Sequence, residues 1–132
     1  MRDGKALILA ALVAALSTAS LLAHHSFVSQ FDLNNPITLR GKLTKVEWIN
    51  PHGWIYMTGK AADDVTKDWK IETGSPVRMQ ARGLKKEDLQ AGQEVIISGF
   101  MSKDGTATVA GWVINFPDRE GFGREASFPL GR

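Results

Sequence analysis

The 132-residue sequence contains no cysteine, only one tyrosine and only three histidines. The lack of cysteine excludes disulfide bonds, thiol nucleophiles and thiolate-ligated metal centres. A domain of this size must therefore be stabilised by its apolar core. With so few histidines, a serine-histidine-aspartate triad could draw only on His52 or on the histidines near the amino terminus.

Recognisable catalytic motifs are also missing. No glycine-rich phosphate loop follows a strand-like segment, and there is no G-x-S-x-G elbow, since the nearest glycine-serine pair is Gly74-Ser75 at a predicted helix start. We therefore predict a protein that is not an enzyme and has no catalytic residues. The net charge is only +2, without a basic stripe, which argues against a nucleic-acid partner.

Residues 1–23 have the three parts of a secretory signal peptide. Arg2 and Lys5 are basic, residues 6–16 are continuously apolar, and residues 17–23 are small and semi-polar. The apolar run is shorter than the roughly 20 residues that cross a bilayer. An uncleaved signal anchor is the alternative. We expect cleavage, a periplasmic or secreted location, and no membrane association afterwards.

The expected cleavage site after Ala23 divides the chain into four segments. Residues 1–23 are the signal peptide, 24–36 an N-terminal extension, 37–116 the folded domain, and 117–132 an irregular tail rich in glycine and charge. We find no internal repeat and no second domain.

The folded domain is predicted to be mainly β. Apolar residues alternate from Ile37, and the phase of this alternation slips near residues 41–45, which indicates either a β-bulge or a sharp coil of the strand. Further strands are expected at 54–60, 67–73, 94–101 and 106–116. Ser75 as N-cap and Pro76 at the first helical position predict a short helix between strands 3 and 4. Its apolar side should contain Val77, Met79 and Leu84.

This order of elements is typical of a small OB-like five-stranded barrel, in which a helix lies between strands 3 and 4. A plain open sheet with one helix is the alternative. Between the first two strands, Asn50-Pro51-His52-Gly53 predicts a tight turn with His52 at a hairpin tip.

The histidines suggest a metal site. After cleavage at Ala23, the amino nitrogen and imidazole of His24 could chelate one metal ion, and His25 or His52 could add a further nitrogen. Cleavage one residue earlier would instead give a square-planar set of nitrogen ligands, which suits Cu(II) or Ni(II). Our first hypothesis is a non-enzymatic periplasmic module that binds a transition metal, with copper favoured. The alternative is that the two terminal histidines are a solvated overhang.

Glu72 is the weakest candidate metal ligand. It lies in a strand between Ile71 and Thr73, and it is either an ordinary outward charge or a carboxylate near His52. We expect the ordinary outward charge, because most glutamates are solvated.

Aromatic residues provide a second candidate site, formed by Trp48, Asn50, Trp54 and Tyr56. Faces of OB-like barrels bind oligosaccharides or oligonucleotides by stacking bases or sugars on aromatic side chains. Tryptophans in a small domain usually fill the core, however, and we expect core filling here. The second hypothesis is a module that binds a small ligand or a periplasmic protein at this surface without metal. A third, an oxidative enzyme with an amino-terminal histidine brace, requires a substrate groove that the sequence does not indicate.

Several motifs together resemble a family of small secreted bacterial proteins of unknown function. They are His24-His25-Ser26-Phe27, Phe31-Asp32, Pro36, Leu39-x-Gly41, Val46-Glu47-Trp48-x-Asn50-Pro51-His52-x-Trp54 and Glu72-x-Gly74-Ser75-Pro76. The resemblance implies export to the periplasm and a β-rich fold, and it implies no activity. Ile71 and Leu84 depart from the aromatic and the tryptophan that are frequent at these places in the family.

Overall fold

The computed structural model of the protein describes residues 27–117 and 127–131. The predicted signal peptide, His24 and His25 lie outside the described residues. The chain divides into two compact units, Met1–Gln30 and Phe31–Arg132. Within the first unit, residues 27–30 are helical. No helix in the two described ranges is long and apolar enough to cross a membrane.

The second unit is mainly β, as predicted. Its elements are β1 (Phe31–Glu47), β2 (Trp54–Lys60), β3 (Thr66–Glu72), α1 (Pro76–Ala81), a 3-10 turn (Lys86–Asp88), β4 (Glu94–Ser102), β5 (Thr108–Asn115) and β6 (Ser127–Pro129). Strand β1 begins six residues before the predicted Ile37, and Pro36 pairs with Phe100 of β4. Asn34, Asn35 and Pro36 have low strand propensity, so pairing with β4 outweighs local preference here.

The strands form one sheet in the order β3-β2-β1-β4-β5-β6, with an additional pairing of β3 with β5. The additional pairing is parallel and matches Ile71 with Val109 and Glu72 with Ala110. It closes β1 to β5 into a five-stranded ring. The open-sheet alternative is therefore wrong.

A bulge in β1 explains the phase slip in the sequence. The register with β2 shifts between Leu43 and Lys45, which pair with Met57 and Tyr56. The extra residue turns Lys45 outward while Leu43 stays fully buried. Of the two predicted alternatives, a bulge or a sharp coil, the structure has the bulge.

The interior of the ring is filled by aliphatic side chains from all five strands, among them Leu39, Ile55, Ile71, Ile97 and Val109. Helix α1 begins as predicted, since the Ser75 hydroxyl accepts from the Arg78 backbone N–H at 3.4 Å and Pro76 is the first helical residue. Met79 and Leu84 are buried, but Val77 is 67% exposed. The prediction for Val77 is wrong because a helix of six residues buries only a narrow side.

Part of the predicted irregular tail is ordered. Strand β6 pairs antiparallel with β5, with Ile114 opposite Phe128. Leu130 is completely buried, its N–H donates to the Trp112 carbonyl at 2.8 Å, and its carbonyl accepts from Gly74 N–H at 2.6 Å. The segment has no alternating pattern of its own, so its order depends on backbone pairing with β5. Residues 118–126 lie outside the described ranges.

Candidate functional site

The loop of residues 48–53 connects β1 to β2 and carries His52. It bends at Asn50 and Pro51, which are joined by a cis peptide bond. Because β1 ends at Glu47 and β2 begins at Trp54, the connection is a six-residue loop in place of the predicted tight turn. Gly53 N–H donates to the Gly74 carbonyl at 3.1 Å, and Thr73 N–H donates to the Gly53 carbonyl at 2.9 Å. These two bonds tie the end of the loop to the chain just after β3.

His52 lies against Glu72. The distance from His52 Nδ1 to Glu72 Oε1 is 2.7 Å, and the two side chains are 33% and 8% exposed. Our expectation that Glu72 is an ordinary outward charge is wrong. Glu72 does point outward from the ring, but its neighbours on the adjoining strands are Trp54 and Ala110, and the loop brings His52 against it.

The contact between His52 and Glu72 gives the buried carboxylate a hydrogen-bond partner. A buried carboxylate is costly unless it is hydrogen-bonded, and the imidazole of His52 supplies that bond to Glu72. Across residues 27–117 and 127–131, no buried side-chain nitrogen or oxygen lacks a hydrogen-bond partner. The imidazole, by contrast, keeps a third of its surface open to solvent. The arrangement presents an oriented histidine at the surface.

Two of the four predicted metal ligands, His52 and Glu72, are therefore brought together. The other two, His24 and His25, lie outside the described residues. Within the part of the chain that the structure describes, no group of three or more histidine, cysteine, aspartate or glutamate side chains is placed to hold a metal ion. A metal centre at His52 would need further ligands, and the amino-terminal histidines are the predicted ones.

Trp54 and Tyr56 lie on the outer face of the ring beside this pair. Both are half-buried, and they stand opposite Glu72 and Lys70 of β3. The ammonium nitrogen of Lys70 lies 4.0 Å from the centroid of the Trp54 ring, a close cation–π contact. Lys45 lies over the Tyr56 ring at 5.2 Å. Lysines thus cover both aromatic side chains.

Glu47 connects Lys45 and Tyr56 in one hydrogen-bonded network. It accepts hydrogen bonds from Lys45 and, at 3.3 Å, from the Tyr56 hydroxyl. The hydrogen bond from Lys45 lowers the pKa of the Glu47 carboxyl below its ordinary value. Burial, followed by the charge of Glu47, raises the pKa of the Tyr56 hydroxyl. The network stabilises a charged carboxylate and a neutral phenol.

The other aromatic predictions had mixed outcomes. Trp69 is buried and donates from Nε1 to the Gly59 carbonyl at 3.1 Å, so core filling is confirmed for it. Trp48 packs partly against the core. Trp112 is 53% exposed and meets Phe100 edge to face at 6.1 Å between ring centroids, so core filling is wrong for it. Asn50 is exposed in the loop.

Sequence reasoning missed the two lysines that cover the rings. The signal was present, because the two-residue period of β3 places Lys70 on the same face as Glu72. The cross-strand register, which decides that Lys70 stands opposite Tyr56, is a property of the folded sheet.

Comparison with known proteins identifies the family of the chain. No curated protein and no solved structure matches it. The family model DUF6152, described as a family of unknown function, matches residues 11–111. The match covers more than half of the chain, and the chain therefore belongs to this family of unknown function.

Proposed function

We propose that this protein is an exported, non-enzymatic module that binds a transition metal ion, with copper favoured, through His24, His25 and His52. The observation that supports this is the 2.7 Å contact between His52 Nδ1 and Glu72 Oε1. Histidines that ligate metals usually donate their second ring nitrogen to a carboxylate or a carbonyl, which orients the ring. His52 has this arrangement and remains accessible to solvent.

The proposed fold is an OB-like barrel. Three features support it: the closed ring of five strands, the parallel pairing of β3 with β5, and the position of α1 between β3 and β4. In such folds the loop between strands 1 and 2 commonly contributes to binding. Here that loop is the one that carries His52.

Export is the other half of the proposal. The basic, apolar and small-residue segments of residues 1–23 support a cleaved signal peptide and a periplasmic or secreted location. Cleavage after Ala23 would expose the amino nitrogen of His24 beside two imidazoles. Metal affinity would then depend on correct processing.

The test uses full-length protein secreted from a bacterial host. Mass analysis of the amino terminus establishes the cleavage site, and Cu(II) titration followed by electron paramagnetic resonance counts the nitrogen ligands. We expect a nitrogen-coordinated signal that weakens in His52→Ala and disappears in His24→Ala/His25→Ala. Asn50→Ala, in the same loop, is the matched control and should bind as wild type does. Micromolar titration without a nitrogen-coordinated signal would contradict the proposal.

A second candidate function is ligand binding at Trp54 and Tyr56 without metal. The observation that favours it is the placement of these two rings at successive outward positions of β2, each with a lysine over it. Titration with soluble envelope polysaccharide should then change tryptophan fluorescence, and Trp54→Leu should abolish the change while Trp112→Phe retains it. A response to Cu(II) alone would favour the metal-binding function.

A further inference from the structure

The described site contains the carboxylate of Glu72, which the sequence predicts only as a weak metal ligand. We infer that Glu72 is a positioning residue: it accepts the Nδ1–H hydrogen bond of His52 and thereby leaves Nε2 as the nitrogen that binds a metal ion. The part of this inference that concerns metal rests on the proposed function. The part that concerns the imidazole stands on the structure alone.

The distance supports a direct hydrogen bond. His52 Nδ1 and Glu72 Oε1 are 2.7 Å apart, which is the usual separation when a nitrogen donates to a charged carboxylate. A neutral imidazole carries one proton. If that proton is on Nδ1, Nε2 has the lone pair that a metal ion or a hydrogen-bond donor requires.

The side chains of Glu72 and His52 differ in their exposure to solvent. Glu72 is 8% exposed, whereas His52 is 33% exposed. A metal ion that reached the site from solvent would meet the imidazole before the carboxylate. Glu72 is therefore placed behind the ligand, where an orienting group is expected.

The backbone holds Glu72 in place from two sides. Strand β3 lies between β2 and β5, and the register sets Glu72 opposite Trp54 on one side and Ala110 on the other. Ala110 is 4% exposed, and its methyl side chain carries no polar atom. The position of the carboxylate is thus determined by the ring of strands.

The backbone also holds His52. The next residue, Gly53, exchanges hydrogen bonds with the segment just after Glu72, as donor to Gly74 and as acceptor from Thr73. Both members of the pair are fixed before any ligand arrives. Binding would then require little ordering of the imidazole, which favours affinity.

A different distribution of protons between Glu72 and His52 would reverse the roles of the two imidazole nitrogens. If Glu72 were a neutral carboxyl group that donated its proton to Nδ1, the imidazole proton would reside on Nε2, and that nitrogen could not ligate a metal. The position of the imidazole proton therefore discriminates between the two arrangements.

The first experiment is nitrogen NMR on metal-free, histidine-labelled protein, under conditions in which the imidazole is neutral. We expect the His52 proton on Nδ1 in wild type and in Glu72→Gln, which keeps an acceptor oxygen of the same shape. Glu72→Ala should lose this preference. Asp64→Asn, which changes an exposed carboxylate at the opposite end of β2 and β3, should leave the tautomer unchanged. A wild-type proton on Nε2, or an unchanged tautomer in Glu72→Ala, would overturn the inference.

The second experiment measures Cu(II) binding to the same variants. We expect a loss of affinity of about 10- to 100-fold in Glu72→Ala, with the same nitrogen ligands and no carboxylate oxygen lost from the metal in X-ray absorption. Loss of an oxygen ligand would show that Glu72 binds the metal itself and would overturn its assignment as a positioning residue. Wild-type protein with Nδ1 protonated but without copper binding would contradict the proposed function while supporting the orientation of His52 by Glu72.

Discussion

Gly53 lies so close to Thr73 that a Cβ atom added to Gly53 would stand 2.7 Å from Thr73 Oγ1. The same Cβ would lie 3.2 Å from the terminal methyl of Met79 and 3.3 Å from the Glu47 carbonyl. A side chain at the residue that follows His52 would therefore force Thr73 or its neighbours to move. The close approach allows the loop to dock on the end of β3 beside Glu72.

Gly53→Ala should destabilise the protein by about 1–3 kcal/mol, because the added methyl must displace packed neighbours. The free energy of unfolding from urea denaturation measures this cost. Thr73→Ala removes the nearest atom, so the double variant should lose less stability than the sum of the two single variants. Strict additivity would show that the contact with Thr73 is not what excludes a side chain.

The contact between Lys70 and Trp54 should contribute about 0.5–1 kcal/mol, the range for a cation–π pair near the surface. A double-mutant cycle with Lys70→Met and Trp54→Leu, read from the free energy of unfolding, isolates this coupling. Lys42→Met, on β1, serves as the control for loss of a lysine. A coupling energy indistinguishable from zero would mean that the ammonium group does not stabilise the ring.

Tyr56 is the only tyrosine in the chain, so tyrosinate absorbance reports its ionisation without overlap from another phenol. Burial is the largest cause of the raised pKa of Tyr56; Glu47 raises this pKa further, and Lys45 lowers it. Glu47→Gln should therefore lower the pKa of Tyr56 relative to wild type, whereas Lys45→Met should raise it further. Shifts of the same sign in both variants would contradict the described network.

Leu130 should be an anchor of the C-terminal segment. It is completely buried, and replacement by alanine should reduce the free energy of unfolding by about 2–5 kcal/mol through the cavity created. Val77→Ala is the matched control, because its exposed side chain should change stability by no more than about 0.5 kcal/mol. Hydrogen exchange at Gly74 N–H, which donates to the Leu130 carbonyl, should accelerate in Leu130→Ala only. Equal effects of the two substitutions would contradict the anchoring role.

The strand β2, the start of helix α1 and the bulge in β1 were predictable because neighbouring residues determine them. The alternation of residues places β2 at Trp54–Lys60, and Ser75 with Pro76 starts α1, both as predicted. The phase slip in β1 corresponds to the bulge between Leu43 and Lys45. In each case neighbouring residues carry the information, through side-chain period, capping or backbone preference.

The candidate site was only half predictable. The unusual loop sequence identified His52, but Glu72 resembled any outward charge on a strand. Its burial follows from the strands on either side and from the loop, which approach it only in the folded sheet. Trp112 shows the converse, since a tryptophan expected in the core lies half-exposed beside Phe100.

By itself, the sequence determined the β-rich class, the positions of β2 to β5 and of α1, and the histidine-bearing loop, because periodicity, caps and turns act over a few residues. The tertiary structure decided the closure of the ring through β3 and β5, the ordering of residues 127–130, and the contact of His52 with Glu72. These depend on pairings between segments far apart in the chain, where register and burial are set by the whole sheet and not by local residue preference.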